Sequence, residues 1–456
     1  MRGLVMLTRQ WRFIKGINMR LRLVSSFVIF ALALPSSAVA GGLLDNYLLA
    51  RDNDPQLKAA DATRLAQGET KDQSVALLLP NISLSASTED VSTDTDSNFA
   101  FNPSRQENFN VNGYNLTLTQ PVYHHDYWVG LRQADATVAQ AEADYGVAKQ
   151  DLMIRLASGY FDLLAAQDNL DFARAEKEAT ARQLEQAKQR FEVGLIAITD
   201  VHEAQAQYDL TVAQEISADN LLANAREALQ EITGQYEQAP QLLQDEIPLL
   251  SPEPSDIEQW VKKATDQNLG LKSAQFAKQV ASEETNRQRS GHFPTLDIVA
   301  NRNISNSNSS FGSESETDRI SLQLNVPIFA GGAVNSRTRQ AAYRAEAAKQ
   351  NLLQTRRSVV RQTRNAYLGV IAEVSRVKAL NQAVISSAKA NEATQAGFEV
   401  GTRTIVDVLL SQRELFRAKR DYARSRYDYI LNTLRLKQAA GSLAQTDIEA
   451  INKWLK

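Results

Sequence analysis

There is no cysteine in the 456 residues. That excludes a disulfide framework, a thiolate-ligated zinc or iron–sulfur site and a thiol nucleophile. It also excludes a lipid anchor on an N-terminal cysteine. Past the N-terminal segment no stretch approaches about 18 consecutive apolar residues, so no membrane-spanning helix is expected there. An excess of positive charge is missing too. With 50 Lys+Arg against 53 Asp+Glu the formal net charge is −3, which argues against a broad nucleic-acid-binding surface. No Walker loop, dinucleotide fingerprint, nucleophile elbow or zincin helix is present. Neither an enzyme activity nor a cofactor is therefore expected. What remains is an ordinary folded composition, 43% hydrophobic and 23% charged. Length alone suggests roughly three domains, a prior that long helices or repeats would overturn.

Residues 1–40 stand apart. They carry Arg2, Arg9, Arg12, Lys15, Arg20 and Arg22 and no acidic residue. An apolar run from Leu23 to Leu34 follows, then Pro35 and Ala38-Val39-Ala40. A basic start, a short apolar segment and an A-x-A site are the parts of a secretory signal. The run is short for a membrane span, which sets the signal above an uncleaved anchor. Met19 is an alternative start, since Met19-Arg20-Leu21-Arg22 is basic by itself. An exported, cysteine-free chain fits the envelope of a Gram-negative bacterium.

The rest is one unit written twice. Arg190-Phe191-Glu192-Val193-Gly194 recurs as Gly397-Phe398-Glu399-Val400-Gly401, and Ile198-Thr199-Asp200-Val201 as Ile405-Val406-Asp407-Val408, both displaced by 207 residues. Pro80-Asn81-Ile82 matches Pro294-Thr295-Leu296, displaced by 214. The first copy is longer between Pro80 and Pro121, which places a loop tip there. A period this long reads as gene duplication, not as a solenoid. The expected organisation is a signal at 1–40, a first repeat at 41–240, a connector at 241–255, a second repeat at 256–441 and a tail at 442–456.

Each repeat has the order helix, strand, loop, strand, very long helix, tight turn, helix. The first helix is expected over about 43–79, ended by Pro80. Ile82, Leu84 and Ala86 alternate with serines, and Tyr114, Leu116 and Leu118 alternate with Asn115, Thr117 and Thr119. These make a strand pair within 81–121, with 88–111 read as the loop between its two strands. The second pair lies within 295–327, joined by the loop 303–318. Long proline-free helices are expected at about 125–190 and 333–397, with return helices at about 199–234 and 405–440. A 65-residue helix is about 97 Å long, a length that packs as a coiled coil. Gly194 and Gly401 are expected to reverse the chain, and Thr199 to cap the first return helix.

Apolar and small polar residues alternating along four strands suit a wall between lipid and water. A small soluble sheet with one buried face would show the same alternation. Export favours the wall, and so do Tyr114, Tyr123, Tyr127, Trp128, Phe293 and Phe329 at the strand ends, where interfacial aromatics gather. Four strands cannot close a barrel, and an open edge is not tolerated in lipid, so the barrel must be shared among copies. Two, three or four copies would give 8, 12 or 16 strands. A lumen for polar solutes disfavours eight.

The turn segments Phe191-Glu192-Val193-Gly194-Leu195…Ile198-Thr199-Asp200-Val201 and Val400-Gly401-Thr402-Arg403-Thr404-Ile405-Val406-Asp407-Val408-Leu409 resemble the TolC family of outer-membrane efflux ducts. The resemblance covers about 43–441. It implies an α+β membrane protein: a homotrimer whose 12-stranded barrel, four strands per chain, continues into a coiled-coil tunnel across the periplasm. It implies an outer-membrane location and a passive exit duct for tripartite multidrug efflux or type I secretion. Its partners would be outer-membrane lipid, a periplasmic adaptor and, through it, an inner-membrane RND, ABC or MFS pump. A periplasmic coiled-coil scaffold or adaptor without a pore is the alternative.

By the same resemblance, Asp407 falls where the family narrows its periplasmic entrance with a ring of aspartates. Three such carboxylates near one axis would attract cations and raise one another's pKa. The family's second aspartate is Leu410 here, which bears on any divalent-cation block. Thr199, Asp200 and Arg403 match positions that latch the entrance. The family's tyrosine partner is Phe398, which leaves out one hydrogen bond of that latch. Val193, Gly194, Leu195, Val400, Gly401 and Thr402 match the tips that meet the adaptor. Without the resemblance, Asp200 and Asp407 read as ordinary first-turn acids and Arg403 as a solvated charge. His124-His125-Asp126 looks metal-like, but lacks further ligands and reads better as part of the aromatic girdle.

Overall fold

Helix boundaries in this chain follow from residues that cap or lack an N–H. The computed structural model describes residues 41–95, 105–237, 239–309 and 312–456. The export signal expected at 1–40 lies outside them, as does the tip of the first strand loop. The first helix is not one but two, α1 (Leu43–Asn53) and α2 (Pro55–Ala76). Pro55 has no N–H to continue α1, and it starts α2 at the first helical position. Asp54 caps α2 by accepting from the Gln56 N–H at 2.7 Å, and it is buried against Arg155. The second repeat breaks at the matching place. α5 (Ile257–Gln267) and α6 (Leu269–Arg289) meet at Asn268, which accepts from the Leu271 N–H and donates to the Ala439 carbonyl.

The strands run further than their apolar alternation. β1 spans Asn81–Thr95 and β2 Arg105–Tyr123, while β3 spans Thr295–Ser307 and β4 Ser313–Asn325. Most of 88–111 and of 303–318, expected as loops, is therefore strand. The ladder is a backbone structure, and it continues through Ser, Thr, Asn and Glu residues whose side chains are solvated. All pairs are antiparallel in the order β1-β2-β3-β4, with Leu84 opposite Leu116, Leu118 opposite Ala300 and Ala300 opposite Ile320. Register shifts at Pro121/Tyr123, where proline withholds a ladder donor.

This register sorts the two faces. Ile82, Leu84, Tyr114, Leu116, Ile298, Ile320, Leu322 and Leu324 share one face and are exposed. Asn115, Thr117 and Asn301 share the other and hydrogen-bond one another. Each strand joins a helix, so the helices adopt the strand order: α2, then α3 (His125–Glu192), then α6, then α7 (Ala333–Glu399). The protomer is a wall with free edges at β1/α2 and at β4/α7.

α3 has 68 residues and α7 has 67, each about 100 Å long. Their far halves pair with α4 (Ile198–Thr233) and α8 (Ile405–Ala439) as two hairpins. The main core lies midway along the molecule. Tyr160 meets Phe161 edge to face and Phe161 stacks on Tyr427 there, all fully or almost fully buried. Tyrosine hydroxyls fasten the connector to this core: Tyr160 donates to the Gln241 carbonyl at 2.9 Å and Tyr429 to that of Leu250 at 3.1 Å. The tail, expected to lie outside the repeat, forms α9 (Gln445–Asn452) and bridges to the connector through Leu243 and Leu455. No helix among the described residues is long and apolar enough to cross a membrane.

Candidate functional site

The expected entrance residues lie at the free ends of the two hairpins. Both turns are built alike. Gly194 and Gly401 take φ of 75° and 79°, where a Cβ is disfavoured. The Leu195 N–H bonds the Arg190 carbonyl and the Gly194 N–H that of Phe191. In the second hairpin Thr402 bonds Gly397 and Gly401 bonds Phe398 in the same way. This is the double-bonded glycine stop that satisfies the last carbonyls of a helix. A Cβ at either glycine would touch nothing within 4 Å, so the backbone angle alone demands glycine.

The return helices start differently. Thr404 caps α8: its hydroxyl accepts from the Asp407 N–H at 3.2 Å, while Asp407 accepts from the Thr404 N–H at 2.9 Å and from its hydroxyl at 3.0 Å. The matching cap of α4 is Ala197, whose methyl group cannot accept a hydrogen bond. Thr199, expected as the cap, sits inside the helix instead, because the cap falls two residues earlier, at Ala197, and α4 begins at Ile198. Asp200 lies in the first turn of α4.

The capping bonds also set the charge state of Asp407. The Thr404 backbone N–H, then its hydroxyl, and the Arg403 charge hold the carboxyl below the usual carboxylate range. Within one protomer the shift is thus opposite to the one expected from repulsion among copies, because local donors stabilise the anion. Asp407 and Leu410 lie three residues apart on α8, and Leu410 is exposed.

The latch residues do not meet within the protomer. The Thr199, Asp200 and Arg403 side chains make no hydrogen bond or ion pair among the described residues. Phe398 is buried in a small apolar cluster with Leu184, Ala187, Ala204, Ile405, Val408 and Leu409. Arg190, which the sequence reading passed over, covers its ring. The signal was available: in the repeat, Arg190 stands against a glycine, Gly397. At the very tips Val193 is 70% exposed and Val400 76%, with Leu195 equally open. Gly194, Gly401 and Thr402 lie between them.

At the other end of the helices, Tyr123, Trp128, Phe293 and Phe329 are exposed near the junction of sheet and helices. Tyr127 stacks on His124 at 4.3 Å. His124 Nε2 lies 3.0 Å from Asp297 Oδ1, tying the start of α3 to β3, and His125 packs on Phe293.

The model of the outer membrane efflux protein family matches residues 46–235 and 260–442, one block in each repeat. The outer membrane protein TolC of Vibrio cholerae is 41% identical over 441 residues, 95% of this chain and 99% of that one. The alkaline protease secretion protein AprF of Pseudomonas aeruginosa is 30% identical over 95% of this chain and 91% of its own. Among solved structures, the CmeC outer membrane channel of Campylobacter jejuni superposes with a TM-score of 0.76 at 18% identity, covering 91% of this chain and 90% of that one.

Proposed function

The chain belongs to the outer membrane efflux protein family, and from that premise we propose how its parts act. It is an outer-membrane channel with a periplasmic tunnel, the exit duct for efflux and type I secretion. Members of this family are passive channels, so no enzymatic activity is expected of it. The observation that carries the reading is the wall itself. One sheet face carries an exposed apolar band on its helix side, both sheet edges are open, and the strands continue into helices about 100 Å long. Open edges are not stable in lipid, so copies join β4 of one to β1 of the next. Three copies give twelve strands and one lumen.

In this assembly Asp407 and Leu410 narrow the periplasmic entrance, an acidic ring followed by an apolar one. Thr199, Asp200 and Arg403, whose side chains make no hydrogen bond or ion pair among the described residues of the protomer, latch neighbouring copies to one another. The exposed tips, Val193-Gly194-Leu195 and Val400-Gly401-Thr402, receive the periplasmic adaptor, which links the duct to an RND, ABC or MFS pump in the inner membrane. The Tyr123, Tyr127, Trp128, Phe293 and Phe329 girdle sets the depth of the barrel in lipid.

Single-channel recording of the purified oligomer in a planar bilayer tests this. Small cation-selective currents are expected, larger and less selective in Asp407→Ala and larger in Arg403→Ala. Currents indifferent to Asp407 would move the constriction elsewhere. No pore from folded protein would favour a periplasmic scaffold.

A further inference from the structure

Phe191 and Phe398 are equivalent in the repeat, yet their surroundings are opposite. Phe191 is 41% exposed, while Phe398 is 6% exposed. The Phe398 ring, from α7, is lodged among Leu184 and Ala187 of α3 and Ala204 of α4. One hairpin thus inserts an aromatic side chain into the other. The Arg190 guanidinium, in the last turn of α3, lies over this ring at 4.4 Å from its centre. Its Nη1 donates to the Phe398 carbonyl at 3.3 Å. The same carbonyl takes the Gly401 N–H that forms the turn. Arg190 makes no ion pair among the described residues, so ring and carbonyl are its partners. A planar ion with several donors suits both contacts at once.

The second hairpin cannot return the contact. Gly397 stands where Arg190 stands in the first, and a Cβ there would come within 2.8 Å of Arg403 Cγ. The Arg403 stem fills that space. The clamp therefore exists in one direction only, and Phe398 is fitted to it.

We propose that Arg190 is the clamp that holds the α7–α8 tip against the α3–α4 tip within each protomer, and that the entrance opens when Arg190 leaves the Phe398 ring. The opening rests on the duct reading above; the union of the tips does not. It is a positioning residue, acting through Phe398 on the α8 start that carries Asp407.

The test uses the full chain. Because there is no native cysteine, spin labels can be placed at Val193→Cys and Val400→Cys alone. Distances between labels are measured alongside bilayer currents for Arg190→Ala, Arg190→Lys, Phe398→Leu and the Arg190→Ala/Phe398→Leu pair. Arg190→Ala is expected to broaden and lengthen the label distance and to raise the open population about two- to fivefold per protomer, the range for an exposed cation–aromatic contact. Arg190→Lys keeps the charge without the planar fork and should restore part of the closure. The double variant should open no further than the more open single. Wild-type distances and currents in Arg190→Ala would overturn the clamp, as would additive effects in the double variant. If Phe398→Leu fails to fold, the Arg190 variants decide alone, since that side chain lies on the surface of the cluster. If the wild type forms no pore, the duct reading fails while the label distances still decide the clamp.

Discussion

Thr404 and Ala197 occupy matching places at the starts of α8 and α4, and only the threonine has a hydroxyl to give. The α8 start is therefore closed by reciprocal bonds, and the α4 start relies on backbone alone. Thr404→Ala should cost about 1 kcal/mol, the usual loss for an N-cap threonine. Amide hydrogen exchange should show it as faster exchange confined to the first turn of α8. The pH dependence has a definite sign. The folded-state pKa of Asp407 is lowered, so its contribution is present above the ordinary carboxylate range and disappears as pH falls through the lowered value. Protection at the α8 start should hold at pH 5 and weaken only under stronger acid, and in Thr404→Ala, which keeps the backbone N–H but loses the hydroxyl, this step should be smaller. Asp407 and its turn could be picked out from the repeat. That Thr404 is its partner, and that Thr199 caps nothing, depends on where each helix begins to within two residues.

The hairpins behave as two cores with a polar layer between them. Leu170 and Ala173 belong to the main core, and Leu184 and Ala187 to the tip cluster. Between them on α3 lie Glu176 and Thr180. Glu176 is 1% exposed and pairs with Arg420 of α8, itself 28% exposed, at 2.9 Å. The Thr180 hydroxyl lies 3.0 Å from that of Thr211 on α4, both buried. Removing one member of a buried pair strands the other charge. Glu176→Leu should destabilise the hairpins by about 2–4 kcal/mol, less than a fully buried pair because Arg420 reaches water. Glu176→Leu with Arg420→Leu should recover most of the loss. Denaturant midpoints of the two variants would check this; equal losses would mean that the pair is not the cause. The length of α3 and α7 could be anticipated, because no proline interrupts them and alanine recurs. The polar layer could not, because Glu176 and Arg420 lie 244 positions apart and look like any surface charges.

At the scale of the whole molecule the free edges dominate. A sheet of four strands with both edges unpaired and an exposed apolar band on one face is incomplete as a soluble protein. Leu322 lies on that face opposite Ile298 and is 67% exposed. Leu322→Arg should cost about 2–4 kcal/mol per copy if it lies near the middle of the bilayer. Heat-stable oligomer in the outer-membrane fraction should fall accordingly. Ser321→Arg, one residue away on the other face, should assemble normally and alter conductance instead. Equal assembly of the two would contradict the assignment of faces.

Alternation with period 2, proline-free runs and a repeat of 207 residues are local or self-similar properties, and they determined the element types, their order and the two-sided sheet. Side-chain period alone places Leu84 and Ser85 on opposite faces in any tertiary context. Strand ends were not legible, because ladder bonds continue through polar residues whose side chains carry no alternation. Nor was the split at Asp54-Pro55 reflected in the helical spacing around it. The unequal fates of Phe191 and Phe398 were decided only in three dimensions. Both sit in nearly identical turns, and what buries one of them is the neighbouring hairpin, whose approach depends on contacts between residues about 200 positions apart.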